Sequence, residues 1–135
     1  MTSTSFSYPK AEKLKSKKTI DLLFSEGKHV SKYPLRMVYI ECTFEEDVPL
    51  KMGVSVSKKH FKKAVDRNYF KRVLRECYRL NKELLTEGLE KKYCCMFFYQ
   101  TSEKLSYPEI NAKTIALFTK FRAAISTLEN NSSAT

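Results

Sequence analysis

The chain has 135 residues, 42% of them hydrophobic, with 25 Lys or Arg against 15 Asp or Glu and a formal net charge of +10. That length suits one compact domain with a modest core, and the charge predicts polyanionic partners, nucleic acid or an anionic surface. No run of about 18 uncharged apolar residues exists to span a membrane, and "MTSTSFSYPKAEKLKSKK" at the start lacks the apolar centre and cleavage site of a secretory signal, so a cytoplasmic chain is expected.

In chain order, residues 1–15 are polar and read as a flexible segment. "SKKTIDLLFSEGK" reads as a short helix: Ser16 caps it, Ile20, Leu23 and Phe24 form one stripe, and Gly27 follows its last turn. "HVSKY" (His29–Tyr33) adds a short strand before Pro34. "LRMVYIECTF" (Leu35–Phe44), rich in β-branched and aromatic residues, and "LKMGVSVS" (Leu50–Ser57), which alternates, read as longer strands on either side of the acidic turn "EEDVP". Lys58–Lys63 is a basic connection. A long helix then starts at Asp66 or just before it, runs to about Leu85 and stops before Gly88.

"KYCCMFFYQ" (Lys92–Gln100) is a continuous apolar run and reads as a strand buried on both faces. Ser106 and Glu109 stand at capping-box spacing, with Pro108 in the first turn. The final helix they open runs to about Leu128, with Ile110, Ile115, Phe118, Phe121 and Ile125 inside. Residues 130–135 read as a disordered tail, leaving 16–129 as the folded domain. The order α-β-β-β-α-β-α predicts a single α+β sandwich, in which the strand–helix–strand unit of 50–100 makes two strands parallel neighbours.

The charge is concentrated. Lys51 to Lys82 holds eleven basic and two acidic residues, a balance of +9, and the remaining 14 basic and 13 acidic residues leave only +1. At about 100° per residue, Arg67, Asn68, Lys71, Arg72, Arg75, Arg79 and Lys82 share one sector of the long helix. Phe70, Val73, Leu74, Cys77, Leu80 and Leu84 fall on the opposite side. A merely solvated face mixes signs, because i,i+4 pairs support a helix. This face is nearly all of one sign, a self-repulsion that bound phosphates would offset. Asn68 fits two readings, a cap or turn residue at the helix start, or a hydrogen-bonding contact to a ribose or base edge.

Other chemistry has little support. Cys42, Cys77, Cys94 and Cys95 form no CxxC pair and no zinc spacing, and read as buried free thiols. His29 and His60 are the only histidines, neither with a carboxylate at helix or strand spacing. No HxxxH, DxD or GxGxxG pattern is present.

"GVSVSKKHFKKAVDRNYFKRVLRE" (Gly53–Glu76) resembles the signature of the bacterial ribonuclease P protein family. That signature is a strand ending in two lysines, a short linker, an arginine–asparagine–arginine core, then lysine–arginine and a further arginine. Arg67, Asn68, Lys71, Arg72 and Arg75 match it position by position; Val54, Ser55, Val56, Lys58, Lys59 and Ala64 also fit, as does "LLFSEGK" near the start. The second arginine of the core is Tyr69 here, which replaces a cation by an aromatic surface.

The resemblance implies a ribosomal-protein-like sandwich with a left-handed strand–helix–strand crossover, against the general rule of handedness. It implies a catalytic RNA partner that holds most of the Mg2+ and hydrolyses the 5′ leader from precursor tRNA, so that no residue of this chain is catalytic. Lys58, Lys59, Lys62, Lys63, Arg67, Asn68, Lys71, Arg72, Arg75 and Arg79 would meet RNA. Ile20, Phe24, Arg36, Val38, Tyr39 and Ser55 would line a cleft for the leader. Family aromatics of that cleft fall at Ile20 and Phe24 and, by ungapped counting, at Val38, with Tyr39 one residue of register away. Phe24 fits both a cleft and a plain core position. The alternative is a stand-alone RNA-binding module, such as a ribosomal protein.

Overall fold

One sheet organises the chain, and its strand order is β1-β2-β4-β3. β1 spans Lys28–Lys32, β2 Leu35–Glu41, β3 Leu50–Val56 and β4 Tyr93–Tyr99. β1 and β2 are antiparallel, as are β2 and β4, while β3 and β4 are parallel. The helices are α1 (Lys17–Glu26), α2 (Ala64–Thr86) and α3 (Tyr107–Ser133). The computed structural model describes residues 10–133, with side chains as far as 126. No helix among the described residues is long and apolar enough to cross a membrane.

Alternation along the strands decides what lies on each face. Met37 and Tyr39 of β2, Met52 of β3, and Cys95 and Phe97 of β4 face α2 and α3, and join Leu74, Tyr78, Phe118 and Phe121 in the main core. Each fully buried large apolar side chain there contributes roughly 1.5–3 kcal/mol relative to exposure. On the other face Val38, Cys94 and Met96 meet Leu14 and Leu23, a smaller core under α1.

The caps follow the expected chemistry. Ser16 Oγ accepts from the Thr19 N–H at 3.3 Å. Ser106 Oγ accepts from Glu109 N–H at 3.3 Å, and Glu109 Oε1 accepts in return from Ser106 N–H at 3.4 Å, closing the capping box. Gly27 sits after α1 as expected but for another reason. Its φ is −68°, so no left-handed conformation is involved. A Cβ there would lie 2.4 Å from Leu23 O and 2.7 Å from Val38 Cγ1, so glycine is required by the close approach of α1 to β2.

Five expectations are corrected, the first being that Ile115, expected inside the final helix, is exposed on α3. Residues 10–15, read as flexible, are a built strap: a 3-10 turn at Lys10–Glu12, a parallel bridge from Lys13 to Met52, and Leu14 N–H donating to Met52 O at 3.1 Å. Glu12 is buried, accepting from Tyr78 Oη at 2.6 Å and pairing with Lys82 Nζ at 3.0 Å. Residues 1–9 lie outside the described part. α3 runs on to Ser133, past the expected end near Leu128 and through part of the stretch read as a disordered tail, of which Ala134 and Thr135 lie outside the described residues. Leu80 and Leu84, expected on the apolar back of α2, are exposed, while Tyr78 and Leu85 are buried there. α2 packs on the sheet and on α3 together, which turns its buried sector toward Tyr78. Tyr39 faces α3, edge-on to Phe121 at 4.8 Å, and is not on the α1 face.

Candidate nucleic-acid interface

The basic connection is held from within. Phe61 is buried and stacks on Phe70, with ring centroids 4.9 Å apart and 22° between planes. His60 and Phe61 N–H groups both donate to Ser57 O at 3.2 Å. This anchoring leaves Lys58, Lys59, Lys62 and Lys63 exposed around a fixed turn.

The cations of α2 divide into two groups. Arg67 is turned back on the loop, donating from one guanidinium nitrogen to Phe61 O at 2.9 Å and Lys62 O at 2.8 Å. Arg79 bridges to Glu76 one turn earlier, and this hydrogen bond holds the Glu76 carboxyl below its usual range. Lys82 is taken by Glu12. Asn68, Arg72 and Arg75 are exposed and Lys71 half-buried, and among the described residues none of Lys71, Arg72 and Arg75 has an acidic partner. Asn68 is the fifth residue of α2, which excludes its capping reading. Tyr69 lies at the edge of this surface, 48% exposed and edge-on to Phe70.

The second surface is the sheet face beneath α1. Register puts Arg36, Phe98 and Ser55 in one row across β2, β4 and β3. Phe24 stands over that row, 61% exposed, its ring 5.9 Å from Phe98, and Arg36 Cζ lies 5.9 Å from the same Phe98 ring. Phe24 is therefore not core. Ile20 is half-buried beside it and Val38 is buried in the next row, so five of the six expected cleft residues share this face and Tyr39 does not. Phe98 is the member of this row that the sequence does not single out. Alternation from Cys94 through Met96 could have found it, but a continuous apolar run hides which side is open.

Cations without acidic partners among the described residues on one helix, and an aromatic–arginine row on an open sheet face, define a class: a small basic nucleic-acid-binding domain. The family model described as Ribonuclease P matches residues 8–122, and the chain belongs to that family. It is 42% identical over 108 residues to the ribonuclease P protein component of Porphyromonas gingivalis, covering 78% of this chain and 79% of that protein. It is 39% identical over 85 residues to that of Dictyoglomus thermophilum, covering 63% and 68%. The fold resembles the solved RNase P protein from Thermotoga maritima, with a TM-score of 0.66 at 22% identity, covering 81% of this chain and 96% of that one.

Proposed function

We infer that this chain is the protein component of ribonuclease P. It binds the catalytic RNA through the loop lysines and the outward face of α2. It binds the single-stranded 5′ leader of precursor tRNA across the Phe24–Phe98–Arg36 row. The RNA subunit carries out hydrolysis of the phosphodiester bond and holds the Mg2+. The protein neutralises phosphate repulsion and fixes the leader, so that the RNA works at lower Mg2+. The observation that carries this reading is the division of the α2 cations: Arg72 and Arg75, which match the family signature, project outward with no acidic partner among the described residues.

The test is precursor tRNA cleavage with and without the cognate catalytic RNA. The protein alone should be inactive, and it should restore cleavage by the RNA at Mg2+ levels where the RNA alone fails. Cleavage by the protein alone would mean an independent nuclease. Absence of rescue would mean a separate RNA-binding module.

A further inference from the structure

The sheet face under α1 has a second opening. Behind the Arg36–Phe98–Ser55 row lies Val38–Met96–Gly53, and behind that Ile40–Cys94–Lys51. The middle row is shut by Leu23 and Leu14, and a Cβ on Gly53 would lie 2.9 Å from Met96 Cε and 3.6 Å from Leu14 Cβ. Past this saddle the third row opens into a cavity of about 630 Å³. That volume falls within the range of roughly 300–1,000 Å³ typical of small-ligand pockets.

One wall of the cavity is the strap of residues 10–16, fixed by Glu12 against Tyr78 and Lys82 and by Leu14 against Met52. Lys10, Lys13, Lys15 and Lys51 line it, and Glu46, the single acid among the described lining residues, is already paired with Lys51 at 2.9 Å. Among the described lining residues, four cations stand against one carboxylate. Hydroxyls of Ser16, Thr19 and Thr43 stand among them, over a floor of Cys42 and Cys94. Cations and hydroxyls around a concave floor suit phosphate and sugar oxygens without selecting a base.

We propose that this cavity is a second RNA subsite, holding a phosphate-bearing nucleotide of the single-stranded leader beyond the part on the Phe24–Phe98–Arg36 row. The proposal rests on the leader-binding reading above. The two sites are linked along β3, since Ser55 and Lys51 are four residues apart and about 13 Å at the rise of a strand. One extended strand passing beside α1 and over the Leu14–Met96 saddle reaches both.

Cys42 supplies a local probe. It is half-buried in the cavity, whereas Cys77, Cys94 and Cys95 are buried. Burial pushes the Cys77 thiol up to about 11 and the Cys94 thiol up to about 12, and raises Cys95 as well. Iodoacetamide on the native full chain therefore reads Cys42, located by peptide mass. Oligoribonucleotides of leader sequence and graded length are the ligands. Long ones should slow Cys42 alkylation at least fivefold, and ones too short to leave the Phe24 row should not.

In the holoenzyme, Lys10→Ala/Lys15→Ala should lower the log–log salt slope for long-leader precursor by about 1.4, two single-strand phosphates at about 0.7 each. The same pair should leave short-leader binding and assembly with the catalytic RNA unchanged. Both lysines are exposed and have no ion pair among the described residues, so the pair should fold normally. Unprotected Cys42 under saturating long oligonucleotide, or an unchanged salt slope, overturns the proposal. A wild-type holoenzyme indifferent to any leader overturns instead the reading on which it rests.

Discussion

Phe24 and Gly27 are three residues apart and carry opposite duties. The Phe24 ring is mostly in solvent and tilts against Phe98, so its removal exposes little new apolar surface. Gly27 has no space for even a methyl group, because the Leu23 carbonyl and Val38 already occupy it. Phe24→Ala is therefore expected to leave stability within about 0.5 kcal/mol of wild type and to weaken binding of leader-bearing precursor. Gly27→Ala is expected to destabilise by about 1–3 kcal/mol, the usual cost of overpacking. Thermal denaturation beside precursor affinity separates them; a large loss of stability in Phe24→Ala would return that ring to the core. The apolar stripe of α1 was legible in the sequence, but which of its members the sheet covers was not. That depends on how far α1 extends over β4, and a helix sequence carries no record of it.

α2 shows the same limit at the scale of an element. Its extent, its cationic front and the Phe70–Cys77 part of its apolar back follow from a period of 3.6 residues, and the helix found at Ala64–Thr86 departs from the expected start and end by about a residue or two. What periodicity cannot show is which cations are already engaged. The carbonyls that hold Arg67 belong to the preceding loop, and the carboxylate that holds Lys82 comes from a strap 70 residues earlier. Two outcomes are expected. Arg72→Ala and Arg75→Ala should keep the melting temperature and each flatten the salt dependence of RNA assembly by about 1 log–log unit. Arg67→Ala should instead cost about 1–3 kcal/mol by leaving the part-buried Phe61 carbonyl without its donor, and loosen the turn that presents Lys62 and Lys63. Equilibrium urea unfolding and RNA titration over a salt series check both. Unfolding by Arg72→Ala would mean that its side chain supports the domain.

Across the whole molecule, the parallel pairing of β3 with β4 was legible because a helix joins two apolar runs, and the strap was not, because four charged residues with only Ala11 and Leu14 among them carry no periodic signal. The unbalanced charge has two consequences of opposite sign. Lys58, Lys59, Lys62, Lys63, Arg72 and Arg75 are exposed along the loop before α2 and the first half of that helix. Two such charges 10 Å apart in water repel by about 0.4 kcal/mol, so fifteen pairs sum to several kcal/mol before screening. The domain's own ion pairs are mostly at the surface, where each contributes roughly 0–1 kcal/mol. Repulsion should win in the free protein, and salt, with a Debye length of about 10 Å at 0.1 M, should relieve it. In the RNA complex the same cations displace counterions. Six phosphate contacts at about 0.9 each give a slope near −5, or roughly a thousandfold loss of affinity between about 50 and 200 mM salt. Over that interval the melting temperature of the free protein should rise while assembly with the catalytic RNA collapses. A melting temperature that falls with salt would place the balance on internal ion pairs, and the cationic surface would then be self-supporting and not held in readiness for RNA.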